Sequence, residues 1–215
     1  MEQTSDKKIN SPIIKGVQYY PNFIENPKEL FEFLDKNCNW DTSMKARKTV
    51  SFGVPYNYGQ MSYENNNFPK QLQEINEKIE KKIGFLPNNC LINYYEDGLS
   101  RMGYHSDRTD NLEPNTGVVI ISLGETRLLK YRKIPQNNND NNDNQNENEN
   151  YDKNWENKNE KNQNQEFWNY YLEDGSLAYQ SLEIQKTHQH SVPMDKGIKN
   201  PRMSLTFRRV IQNKN

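Results

Sequence analysis

Cys90-Leu-Ile-Asn-Tyr-Tyr95, Met102-Gly-Tyr-His-Ser-Asp107, Val118-Val-Ile-Ile-Ser-Leu123 and Arg127-Leu-Leu-Lys-Tyr-Arg-Lys-Ile134 decide the fold class of this 215-residue chain. Each is a short apolar or alternating run bounded by turn chemistry, with Asp97-Gly98 between the first two. Such runs read as strands, because they are too short to lay down a helical stripe. The pattern resumes at Phe167 to Leu172, Asp174-Gly175, Leu177 to Ile184 and Arg202 to Ile211. It predicts an antiparallel unit with hairpin connections: mainly β with supporting helices, around a double-stranded β-helix (jelly-roll) core.

The supporting helices lie upstream. Order begins near Val17-Gln-Tyr-Tyr-Pro-Asn-Phe-Ile24, and Asn26 before Pro27 is an N-cap followed by proline at the first helical position. Leu30, Phe31, Phe33 and Leu34 give that short helix its apolar face. A second helix is expected from about Lys70 to Lys82, where Leu72, Ile75, Ile79 and Ile83 fall at helical spacing and Gly84 stands at the C′ position.

The length suits one catalytic domain, residues 16–212, behind a polar leader, residues 1–15, expected to be disordered. Within the domain, residues 136–166 form an insert in which 14 of 31 residues are asparagine. Such a composition buries too little apolar surface to repay its ordering entropy, so the insert reads as a disordered hairpin tip without chemistry of its own. The insert also masks the charge balance. The whole chain carries −1, but the remainder holds 25 basic against 21 acidic residues, a net of +4. That is permissive for a phosphate-bearing partner without being polycationic.

Cys38 and Cys90 form no C-x-x-C pair, and no secretory segment or long apolar run is present. Two free thiols, a reducing intracellular setting (nuclear or cytoplasmic), no membrane span and a monomer are therefore expected.

The chemistry is read from His105-Ser-Asp107, His190 and Arg202-Met-Ser-Leu-Thr-Phe-Arg208. A lone His-x-Asp is weak evidence. On an extended strand, however, positions i and i+2 share a face, so His105 and Asp107 could reach one metal while a later histidine completes the set. Two imidazoles and a carboxylate hold non-heme Fe(II) and leave positions open for a co-substrate and O2. His190, beside Ser191-Val-Pro193, is preferred to His188, which reads as a solvated neighbour. Arg202 and Arg208 share a strand face about 20 Å apart, at roughly 3.3 Å per residue, and suit the two ends of a small dicarboxylate. Ser204 and Thr206 share that face, while Arg209 points away. Asn93 and Tyr95 alternate onto one face of an earlier strand and could hydrogen-bond the same ligand. Tyr56 and Tyr58, following Arg47 and Lys48, read as aromatic and basic contacts for a splayed-out nucleobase.

Taken in order, Gly53-Val-Pro-Tyr-Asn-Tyr58, Asn93-Tyr-Tyr-Glu-Asp-Gly98, Met102-Gly-Tyr-His-Ser-Asp107, Val118 to Gly124 with Thr126-Arg127, His190-Ser-Val-Pro193 and Pro201 to Arg208 resemble the AlkB family of Fe(II)- and 2-oxoglutarate-dependent dioxygenases. The likeness covers about residues 17–211, and excising the insert brings the His105–His190 separation near the family's usual spacing. Ser204 stands where the family often has asparagine. Thr109 stands where many base-repairing members have an acidic residue, with Asp110 one step late.

The resemblance implies that His105, Asp107 and His190 hold Fe(II), while Arg202, Arg208, Asn93, Tyr95 and Ser204 serve 2-oxoglutarate. It implies Tyr56, Tyr58, Arg47 and Lys48 as substrate contacts, with Gly53 to Tyr58 as a nucleotide-recognition lid. The implied reaction is oxidative demethylation of methylated DNA or RNA in alkylation repair. O2 converts the co-acid to succinate and CO2, an N-methyl carbon is hydroxylated, and formaldehyde leaves. Two alternatives are the same iron chemistry on a protein or lipid, and a module that binds modified bases without turnover.

Overall fold

The computed structural model describes residues 14–56, 65–134 and 166–212. The expected leader therefore lies outside the described residues except for its last two positions, and the expected insert except for Glu166.

Among the described residues ten strands form two antiparallel sheets. The six-stranded sheet runs β1 (Val17–Tyr20), β8 (Leu177–Ser181), β5 (Gly117–Gly124), β10 (Arg202–Arg208), β3 (Asn89–Tyr95), β2 (Lys48–Gly53). The four-stranded sheet runs β4 (Met102–His105), β9 (His188–Val192), β6 (Arg127–Lys133), β7 (Phe167–Leu172). Helices α1 (Pro27–Asn37) and α2 (Lys70–Ile83) bury apolar residues in the core on one face of the larger sheet, and a one-turn helix α3 (Leu182–Thr187) joins β8 to β9.

The large sheet is buried on both faces, which is why β5 reads as an almost continuous apolar run. Its Val119, Ile121 and Leu123 join Leu34, Leu72 and Ile79 in the helix-side core, whereas Val118 and Ile120 pack with Leu129, Tyr131 and Leu172 in the second core. Each such side chain contributes about 1.5–3 kcal/mol by leaving water. In β10 the alternation is inverted relative to an ordinary surface sheet. Met203, Leu205 and Phe207 face the helices, and Arg202, Ser204, Thr206 and Arg208 are buried too, on the opposite face. A polar face buried between sheets needs partners, so this is where a site is sought.

The structure shows the expected mainly-β architecture but changes several boundaries. From β3 onward, successive strands alternate between the two sheets except for the β6–β7 hairpin. Asp97-Gly98 and Asp174-Gly175 are thus sheet-to-sheet corners rather than hairpin tips, which use the same turn chemistry. Gly98 is required by close approach: a Cβ there would lie 1.7 Å from the Asp195 carbonyl oxygen. Its backbone pairs with Asp195 and Ile198, tying the β3–β4 corner to the β9–β10 loop.

The run expected as a strand from Leu177 to Ile184 turns helical at Leu182. The strand expected to reach Asp107 ends at His105, after a register irregularity between Met102 and His105. The last strand stops at Arg208, beyond which Val210 makes an isolated bridge to Leu112. The α2 boundaries follow the sequence closely, with Gly84 closing the helix at a left-handed φ of 97°.

Candidate metal centre and its cavity

His105 and His190 are directly paired across the β4–β9 ladder, their ring centroids 4.3 Å apart. Asp107 follows two residues beyond β4 and turns back toward them, its Oδ1 3.8 Å from His105 Nε2. One ligand atom from each of the three lies within 4.8 Å of the others, and all three residues are buried. The Nδ1 of His105 is 3.0 Å from the Gly103 carbonyl, which can accept only from a protonated nitrogen. That contact selects the Nδ1–H tautomer and leaves the Nε2 lone pair for a cation.

The electrostatics favour the same set. Burial, together with the nearby His105, pushes the His190 imidazole down to about 3 against the pull of Asp107. It is therefore neutral at neutral pH, the form that binds a metal. Burial alone would raise the Asp107 carboxyl, but Arg208, His190 and His105 outweigh it and hold the group below the ordinary carboxylate range. Arg208 Nη2 sits 3.2 Å from Asp107 Oδ1.

A cavity opens between the sheets beside this cluster. Its wall includes Asn93, Tyr95, Ser204 and Arg208 from the expected co-substrate set, with Arg47 and Tyr56 from the expected substrate set. Arg208 lies with its guanidinium carbon 4.1 Å from the Tyr56 ring centroid. Among the described residues its Nε and Nη1 are buried without a hydrogen-bond partner, as are Asp107 Oδ2 and Arg202 Nη1. Unsatisfied buried donors on Arg208, and a buried carboxylate oxygen of Asp107 left for a cation, fit an anionic ligand beside a bound cation.

The remaining expected residues are placed less uniformly. Arg202 is not in the cavity wall: its Nε donates to Ser122 Oγ at 2.8 Å and its guanidinium lies 5.4 Å from the Tyr95 ring centroid. Burial pulls that guanidinium down to about 10, so it stays charged at neutral pH. Arg47 donates from Nε to Asn93 Oδ1 at 2.7 Å. Lys48, the first residue of β2, is paired with Glu96 at 2.6 Å and lies 5.3 Å from the Tyr94 ring centroid. Arg47, just before β2, is therefore in the cavity wall on Asn93, whereas Lys48 is held outside it by Glu96. Tyr56 is 1% exposed and its hydroxyl donates to the Arg108 carbonyl, so it is a cavity wall rather than an open platform. Tyr58 lies outside the described residues.

His188, expected to be solvated, is half-buried in β9 with its ring edge-on to Trp168, and stands apart from the ligand cluster. Sequence reasoning gave no structural role to Arg127. It is buried, and its guanidinium donates to the carbonyls of Asp97, Ser100 and Pro193, clamping two loops near the site. It also gave none to Gln185, whose Oε1 accepts the Asp107 N–H from 78 residues away. No local signature marks a partner at that range.

Comparison with known proteins agrees with this geometry. A family model described as the 2OG-Fe(II) oxygenase superfamily matches residues 16–208. The Alpha-ketoglutarate-dependent dioxygenase alkB homolog 3 of Mus musculus is 25% identical over 212 residues, covering 92% of this chain and 67% of that protein. The human protein of that name is 26% identical over 213 residues, with the same coverage of 92% and 67%. The DNA oxidative demethylase ALKBH2 of Homo sapiens is 22% identical over 201 residues, covering 86% of this chain and 69% of that protein. This chain thus spans about two thirds of the length of these relatives. The solved structure of OsALKBH1 superposes with a TM-score of 0.58 at 16% identity, covering 92% of this chain and 100% of that one.

Proposed function

The chain belongs to the 2OG-Fe(II) oxygenase superfamily, which works with Fe(II) and 2-oxoglutarate, and on that premise we propose that it oxidatively demethylates N-alkylated nucleobases in DNA or RNA. The observation that carries the proposal is the buried His105, Asp107 and His190 cluster beside a cavity with an arginine whose donors are unspent. In this reading those three residues hold Fe(II). Arg208, with Asn93, Tyr95 and Ser204 from the cavity wall, would hold 2-oxoglutarate, and Arg202, outside that wall, would join them through its unspent Nη1 donor. When bound, iron and co-acid supply O2-dependent hydroxylation of an N-alkyl carbon, with succinate, CO2 and formaldehyde as products.

The protein's own contribution is positional. Gly103 fixes the His105 tautomer, and burial keeps His190 neutral. Arg47 fixes the Asn93 amide oxygen, which directs its Nδ2 donors elsewhere, so Asn93 can serve a carboxylate. Apolar Leu91, Ile120, Leu129 and Val192 line the remaining wall and limit water at the reacting centre. Support for a nucleobase substrate comes from the relatives, one of which is named a DNA oxidative demethylase, and from Arg47 and Tyr56 at the cavity. A methylated, cationic base also pairs poorly and is cheaper to extrude.

The test is formaldehyde release from short methylated single-stranded DNA and RNA, with Fe(II), ascorbate and 2-oxoglutarate, against a control without the co-acid. Co-acid-dependent release is expected, and it should be abolished in His105→Ala and Asp107→Ala proteins that remain folded. Slow succinate formation without formaldehyde from any methylated oligonucleotide would overturn the nucleobase reading while leaving the iron chemistry, directing the search to protein or lipid substrates.

A further inference from the structure

The three candidate ligands are not held alike. His105 and His190 face each other inside the β4–β9 ladder, where backbone hydrogen bonds fix them. Asp107 lies beyond the end of β4, outside that ladder. Its segment is tied down by side chains instead. Ser106 Oγ donates to the His188 carbonyl at 2.9 Å, and the Asp107 N–H donates to Gln185 Oε1 at 2.9 Å.

Hydrogen-bond chemistry fixes how Gln185 must point. A backbone N–H only donates, so the glutamine oxygen faces Asp107 and its Nε2 faces the other way. There it donates to Gln180 Oε1 at 2.7 Å. Gln185 comes from α3 and is 4% exposed, and Gln180 comes from β8 and is fully buried. Around them are the apolar side chains of the second core, including Val118, Ala178 and Ile184. Among the described residues Gln180 Nε2 is buried without a partner, so the relay is costlier than an apolar filling of the same space.

We propose that Gln185, itself fixed by Gln180, is a positioning residue that sets Asp107 for metal binding. The relay substitutes for the ladder bond that Asp107 lacks, fixing its backbone and hence the direction of its carboxylate toward His105 Nε2. The role rests on the reading of His105, Asp107 and His190 as the iron ligands. Groups that orient metal ligands typically change metal affinity by 10–100-fold when removed.

The test measures Mn2+ binding to the full-length protein after chelator treatment, from the loss of the free-ion electron paramagnetic resonance signal, alongside the thermal midpoint of the stripped protein. Gln185→Leu is expected to weaken Mn2+ binding by about tenfold or more. Gln185→Glu retains an oxygen for the Asp107 N–H, and a turned Gln180 amide can offer it the idle Nε2, so its affinity should stay within about threefold of the parent. Ile184→Val, beside Gln185 in α3, is the stability control and should lower the midpoint without changing affinity. Parent-like affinity in Gln185→Leu, or equal losses in the Leu and Glu variants, would overturn the proposal. If Gln185→Leu does not fold, Gln180→Leu carries the test: weakened binding supports the relay and unchanged binding refutes it. A parent protein that binds neither Mn2+ nor Co2+ would remove the iron-site reading and this role with it, an outcome distinct from parent binding that Gln185 does not affect.

Discussion

Arg208 and Asp107 are both buried, and each is the nearest compensation for the other's charge. Removing one partner of such a pair leaves an uncompensated charge, at a cost of about 3–5 kcal/mol. Arg208→Met should therefore destabilise chelator-treated protein by that order in urea unfolding, and Mn2+ should restore much of the loss by neutralising Asp107. Arg208→Lys keeps a cation but loses the fork that grips a carboxylate, so the KM for 2-oxoglutarate should rise about tenfold, roughly 1.4 kcal/mol, with a smaller change in kcat. Steady-state kinetics with varied co-acid decides it. At this scale residue type and short spacing are legible in the sequence, and His105, Asp107, His190 and Arg208 meet in one place as their types suggest. Partners are not legible. Tyr56 looks like an exposed loop aromatic until Arg208 is found stacked against it, and Arg47 and Lys48 look like one basic cluster until their partners, Asn93 and Glu96, separate them.

The helices are the most legible elements, because fourteen residues of α2 give a 3.6-residue period room to show, and Gly84 marks its end. Among the described residues nothing beyond its chain neighbours lies within 4 Å of where a Gly84 Cβ would stand, so Gly84→Ala meets no clash and isolates the backbone term. The left-handed φ should make it destabilising by about 1–2 kcal/mol, read as a lowered urea midpoint with an unchanged slope. The C-cap of α1, Cys38, gives a chemical probe of packing. Burial, with Asp35 nearby, pushes its thiol up to about 11, so the thiolate population near pH 8 falls well below that of an ordinary cysteine. Cys90 is fully buried, and burial pushes its thiol up as well. Alkylation of the native protein at pH 8 should run at least about tenfold slower than for free cysteine, with both thiols reacting promptly in urea. The one-turn α3 was illegible because six residues cannot display a helical period, and an apolar alternation leading into it looks like more strand. That short helix carries Gln185, so the part of the site hardest to read lies on the element hardest to read.

The jelly roll depends on pairing between distant segments, and β6 with β7 is the instructive case, since residues 134–166 separate them in sequence. Arg132 pairs directly with Phe167, and Lys133 Nζ lies 2.7 Å from Glu166 Oε2, so the two chain ends already stand at hairpin distance. Deleting residues 137–165 leaves Ile134, Pro135, Gln136 and Glu166, enough for an ordinary two- to five-residue hairpin loop. A shorter connection costs less closure entropy, by about 0.6 kcal/mol per halving, so stability should rise by about 1–2 kcal/mol and kcat on a methylated mononucleoside should stay within about twofold. Charge adds a second consequence. The deletion removes seven acidic residues and three lysines, moving the formal charge from −1 to +3. Oligonucleotide affinity should therefore increase at low salt, and the difference from the parent should close as ionic strength rises, because exposed charges are screened within about 10 Å at 0.1 M. Fluorescence anisotropy with a short single strand across a salt series separates the cases. A gain that disappears with salt assigns the segment a long-range electrostatic effect, whereas a loss of turnover on the mononucleoside would place it in contact with the catalytic domain.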